Sequence, residues 1–119
     1  DFVIGKNRRS HARRKIGFTC ENIVSKIGAQ IDLQNATHEF IGLAKFTKTG
    51  AEQFTRTFDD CIQNCKGKIQ EADSIEQLTF TDLIQEMTDR GFTVNFIEIH
   101  KGWLEIHVPE DIDIANRLF

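Results

Sequence analysis

Apolar residues along this chain follow two spacings, and the changes between them mark its elements. Phe2 to Ile4 is a short continuous apolar run, as in a strand. In "NIVSKIGAQI", residues 22–31, apolar positions Ile23, Ile27, Ala29 and Ile31 surround Gly28, which predicts a strand pair or bent hairpin. Phe40 to Phe46 is apolar on both faces apart from Lys45 and reads as a buried strand. The spacing then shifts to threes and fours. Ala51, Phe54, Phe58, Cys61, Ile62 and Cys65 form one stripe of a helix over residues 49–66, with Thr47 or Thr49 as its cap and Gly67 as its stop.

Residues 68–77 are polar and read as a loop. Thr79 caps a second helix, Phe80 to Arg90, with Asp82 as the capping-box acid. Phe80, Leu83, Ile84 and Met87 face the core, and Gly91 ends the helix. Phe92 to Ile99 predicts a strand apolar on both faces, and Lys101-Gly102 a turn into a last strand, Trp103 to Val108. In that strand Leu104, Ile106 and Val108 point one way, and Trp103, Glu105 and His107 the other. Pro109 opens a final helix, where its missing N–H costs nothing. Glu110, Asp111 and Asp113 sit in its first turn, where negative charge suits the helix dipole. Ile112, Ala115, Leu118 and Phe119 form its expected inward stripe. Val108 is a poor N-cap, because it has no side-chain oxygen for the exposed amides.

This order of strands and helices predicts an α/β domain with a mixed sheet and about three helices. The 119 residues fit one domain, long enough to bury a real core. No apolar run spans a membrane and no signal peptide is visible. The net charge of −3 argues against a dedicated nucleic-acid binder. The stretch "KNRRSHARRK" (Lys6 to Lys15) suits phosphates by its charge but lacks aromatics for stacking bases; its alternative is a solvated loop. Three cysteines, Cys20, Cys61 and Cys65, without a secretory signal suggest reduced thiols in a cytoplasmic protein, packed as small hydrophobes rather than held on a metal. The chain begins at Asp1, and Met87 is its only methionine, as in part of a longer chain or one with its initiator removed.

At "HEFIGLAKFTKTGAEQF" (His38 to Phe54) and "GWLEIHVPEDIDIANRLF" (Gly102 to Phe119) the sequence resembles the C-terminal half of sugar-phosphate nucleotidyltransferase-like domains. It is most similar to those linked to phosphoenolpyruvate phosphomutase and phosphonate biosynthesis. "TFTDLIQEMTDRGFTV" (Thr79 to Val94) fits the intervening helix and strand. The resemblance covers residues 37–119; residues 1–36, the basic segment and strand pair, match it weakly. It implies part of a Rossmann-like fold that transfers a nucleotidyl group, CMP first among candidates, from a nucleoside triphosphate to a phosphate or phosphonate acceptor, releasing pyrophosphate.

By the same resemblance Glu39, Phe40 and Trp103 line the acceptor pocket, while Glu105 and His107 lie at a magnesium site. Each has a plainer alternative: a strand-edge charge for Glu39, a packing residue for Trp103, solvated side chains for Glu105 and His107. Two departures matter. The Gly-rich nucleotide loop is absent, so no catalytic residue is assigned and this segment alone is expected to be inactive. His107 and Val108 stand where the family has Asp and Thr, and imidazole is a poor magnesium ligand. The alternative function is a non-catalytic module for homodimerisation or ligand binding.

Overall fold

A computed structural model describes residues 2–5, 15–19, 22–100 and 102–119. Most of the basic stretch, Cys20 and the expected turn residue Lys101 lie outside these. The elements run β1 (Phe2–Gly5), β2 (Lys15–Thr19), β3 (Ile23–Gly28), β4 (His38–Ala44), α1 (Lys48–Asn64), α2 (Phe80–Asp89), β5 (Phe96–Ile99) and α3 (Glu110–Leu118), with a 3-10 turn at Ile75–Gln77. The protein is therefore a mixture of helices and strands, as the pattern predicts. The strands form one sheet in the order β3-β2-β4-β1-β5. Only β1 and β5 pair in parallel; β1–β4, β2–β3 and β2–β4 are antiparallel. No helix among the described residues is long and apolar enough to cross a membrane.

The first edge of the sheet is covered by the chain itself. The Val24 N–H donates to the Val94 carbonyl and the Phe96 N–H to the Asn22 carbonyl, each at 2.9 Å. Further along β3, Gln85 of α2 accepts from the Ile27 N–H at 2.7 Å and donates to the Ser25 carbonyl at 3.5 Å. A helix side chain thus replaces a neighbouring strand. The main core gathers Val24, Ile27, Phe40, Ile84, Met87, Val94 and Phe96, with α2 lying on β3. A second, smaller cluster of Cys61, Ile69 and Leu83 joins α1 to α2.

Both caps follow the sequence. The Thr47 hydroxyl accepts from the Gly50 N–H at 3.0 Å. Thr79 and Asp82 make the full capping box, and Asp82 also accepts the Glu71 N–H at 3.0 Å, so the polar segment 68–77 is tied to α2. That segment is no open loop: Ile69 and Ala72 pair in a tight turn, and both are buried.

Several expectations are corrected. Residues 22–31 supply one strand, β3, and its antiparallel partner β2 lies just upstream, so the strand pairing joins 15–19 to 23–28 instead of falling within 22–31. β4 is buried only at His38, Glu39 and Phe40; past Gly42 it turns outward and Leu43 is 58% exposed. The turn is a bulge. β1 moves from Val3 to Ile4 while its β4 partner jumps from Leu43 to Phe40, and Gly42 takes φ +82°, a conformation that favours glycine. On α1 the buried side chains are Thr57 and Cys61, while Phe58 and Ile62 of the expected stripe are exposed. Thr57 can face inward because its hydroxyl donates to the Gln53 carbonyl at 2.8 Å.

β5 is shorter than predicted, and Trp103 to Val108 forms no strand; the segment runs irregularly to α3. The expected inward stripe of α3 is largely in solvent, with Ile112, Leu118 and Phe119 all exposed. Pro109 has helical angles (φ −54°, ψ −33°), as position demands. No side chain caps α3; the Asp111 and Ile112 N–H groups donate to the Val108 and Pro109 carbonyls at 3.0 and 3.1 Å, and the Asp111 Oδ2 reaches back to accept the N–H groups of His107 at 2.9 Å and Val108 at 3.2 Å.

Two predictions arise here. A Cβ at Gly28 would meet the Glu71 carboxylate, which is pinned by the Ala29 and Gln30 amides at 2.8 and 2.7 Å. Gly28→Ala is expected to cost about 1–3 kcal/mol in urea unfolding, as overpacking does. Adding Glu71→Ala removes the clash, so the double variant loses less than the two single losses together. The second concerns thiols. Burial, then the neighbouring Cys65 thiol, push Cys61 up to about 11. Peptide mass mapping after brief iodoacetamide treatment at neutral pH should find Cys65 modified and Cys61 intact until the chain is unfolded.

Candidate functional site

Three separate segments build one open cleft of about 280 Å3. β4 contributes Glu39, Phe40 and Gly42; the start of α2 contributes Thr79, Phe80 and Thr81; the segment before α3 contributes Glu105 and His107. Each is held by local chemistry. Glu39 and Phe40 lie in the part of β4 bonded to its neighbours before the bulge. The capping box fixes Thr79 to Thr81. Asp111 fixes the backbone at His107 and Val108, and is itself only 4% exposed.

The floor is aromatic. Phe40 and Phe80 stack with ring centroids 6.0 Å apart and planes 13° from parallel. Phe54 and Phe46 support Phe80 from behind at 5.5 and 6.2 Å. The polar rim is acidic. Glu39 is 7% exposed, while the Glu105 side chain is 45% exposed. His107 Nε2 lies 2.9 Å from Glu105 Oε2, so the imidazole is oriented by the carboxylate. The Thr79 and Thr81 hydroxyls, 3.1 Å apart, add groups that both donate and accept.

The structure thus brings together Glu39, Phe40, Glu105 and His107 of the expected site residues. Trp103 is half-buried and does not line the cleft. The expected alternation survives without a strand, since Glu105 and His107 share a side. Of the other cleft residues, the sequence places Phe80 in the core and Thr79 at the cap, and gives Thr81 no role. Asp111 is a backbone clamp rather than a plain helix-terminus charge.

Magnesium suits one member of the expected pair, the Glu105 carboxylate, and not the other, the His107 imidazole. It prefers six hard oxygen donors, usually one or two carboxylates with waters and phosphates. Glu105 and His107 offer one carboxylate and one imidazole, already bonded to each other. Among the described residues no group of three His, Cys, Asp or Glu side chains is placed to hold a metal. A second polar cluster lies on the sheet: Glu98 bonds His38 Nε2 at 2.8 Å and lies 3.6 Å from His100 Nε2. Sequence reasoning left these histidines unassigned.

In comparisons with known proteins, no family model, no curated protein and no solved structure matches this chain.

Proposed function

We propose that this chain is the acceptor-binding part of a nucleotidyltransferase, a portion of a Rossmann-like fold. In this reading an acceptor phosphate or phosphonate oxygen attacks the α-phosphorus of a nucleoside triphosphate, CTP first among candidates. The new P–O bond forms as the bond to pyrophosphate breaks, and pyrophosphate leaves with that electron pair. One observation carries the reading: the two segments that bear the resemblance, around Glu39 and around Glu105, meet in a single cleft although they are far apart in sequence.

The roles follow from chemistry. The Glu39 carboxylate receives an amino or hydroxyl group of the acceptor, and the Phe40–Phe80 face shields its carbon chain and attracts a cation. His107, whose Nε2–H is held by Glu105, meets the acceptor's phosphoryl oxygens through Nδ1–H when the ring is protonated. The cleft's volume lies just below the ~300–1,000 Å3 usual for drug-sized ligands, which suits a small acceptor. The divalent ion implied by the resemblance would be held by the Glu105 carboxylate, with waters and phosphoryl oxygens as its other donors.

A second reading, a ligand-binding module without turnover, is favoured by that same Glu105–His107 pairing. Pyrophosphate release separates the two. The natural full-length protein is incubated with CTP and magnesium, with phosphocholine or 2-aminoethylphosphonate as acceptor. The enzymatic reading expects acceptor-dependent release. No release with either acceptor, and none in His107→Asp, would leave the binding module.

A further inference from the structure

We propose that two copies of this chain associate by exchanging helices, with α3 of each lying on the exposed sheet face of the other. Two uncovered apolar surfaces on one chain point to this. The first is on the sheet. Val3 pairs with Leu43 on one side and Ile97 on the other, so Leu43 and Ile97 share a face across β4-β1-β5. They are 58% and 53% exposed, and the chain's own α3 does not cover them. The second is the α3 stripe, where Ile112, Leu118 and Phe119 are 49%, 52% and 79% exposed. An amphipathic helix and an apolar sheet strip are the two halves of an α/β layer contact, and each needs what the other offers.

A second copy is the occupant that answers both surfaces at once. With Ile106 of the connecting segment, also 58% exposed, these six side chains leave on the order of 600 Å2 of apolar surface per copy. With their polar rims, two such contacts reach the ~1,200 Å2 lower bound of a specific interface. Charge agrees: Glu110 and Asp113 at the start of α3 are exposed, and so is Lys45, two residues beyond Leu43.

Sedimentation equilibrium over a range of concentrations tests this. The expected species has twice the 13.7 kDa chain mass. Ile112→Asp with Leu118→Asp should give a monomer, and so should Ile97→Lys. All three positions are exposed, so unchanged circular dichroism and melting show that the variants still fold. The distinguishing step is to mix the helix variant with the sheet variant. One intact helix then meets one intact sheet, and heterodimer returns at least tenfold above either variant's self-association. A parent chain that stays monomeric at hundreds of micromolar, or binds only some other protein, would overturn the proposal. So would dimeric variants, or a mixture that stays monomeric.

Discussion

Gln85→Leu is expected to remove about 2–4 kcal/mol of stability, one of the largest losses available from a single substitution in this chain. Gln85 is 7% exposed and its amide reaches three partners. It accepts the Ile27 N–H at 2.7 Å, donates to Asp89 at 2.8 Å and approaches the Ser25 carbonyl at 3.5 Å. Ile27 is 3% exposed, so leucine would strand its N–H away from water. A buried donor left in that state costs about 1–3 kcal/mol, and the Ser25 carbonyl adds to it. Leucine also brings no donor for Asp89. Urea unfolding should show a lower midpoint with unchanged slope. Gln85→Glu separates the terms: it keeps the acceptor for Ile27 but sets a carboxylate against Asp89. A loss below about 1 kcal/mol in the leucine variant would mean the strand edge is satisfied in another way.

Glu39→Gln is expected to weaken binding of an ammonium-bearing acceptor by about 10- to 100-fold, since a charge-assisted hydrogen bond is worth about 1.5–3 kcal/mol. The substitution keeps size and hydrogen-bonding shape while removing the charge. Binding of an acceptor without an amino group should change far less. That contrast identifies the carboxylate's role, because a general loss of fold would weaken both. Calorimetric titration with 2-aminoethylphosphonate and with ethylphosphonate gives the comparison. Equal losses for the two ligands would assign Glu39 to structure rather than recognition.

Local chemistry was readable from the sequence wherever near neighbours decide it. The capping box at Thr79 and Asp82, the Thr47 cap and the helical angles at Pro109 depend on residues within one turn of each other. The α1 stripe was misread because the buried face is turned away from the centre of the apolar one: Thr57 and Cys61 lie toward one margin of an ordinary stripe, Phe58 and Ile62 toward the other. A helix lying mainly against α2 buries only the first margin, so Thr57 goes in and Phe58 stays out. The strand expected at Trp103 to Val108 failed for a different reason: alternation describes a side-chain pattern but does not provide a neighbouring strand.

The cleft was partly legible. Glu39, Phe40, Glu105 and His107 were named from the resemblance, and the fold places them together. Phe80 was assigned to the core, because helix spacing cannot tell a buried aromatic from one flooring a cleft. Gln85 and Glu98 carried no signal, since their partners lie 58 and 60 residues away in sequence. Asp111 looked like a dipole charge, because the N–H groups it accepts, those of His107 and Val108, lie ahead of the helix it stands in.

The central claim is that three segments distant in sequence form one acceptor cleft. Amide chemical shifts of the labelled chain, followed during titration with 2-aminoethylphosphonate, test it most directly. Residues 39–42, 79–81 and 105–107 should move together along one saturable curve, and Glu39→Gln should flatten all three sets. Shifts confined to one segment, or centred on a different surface, would contradict it.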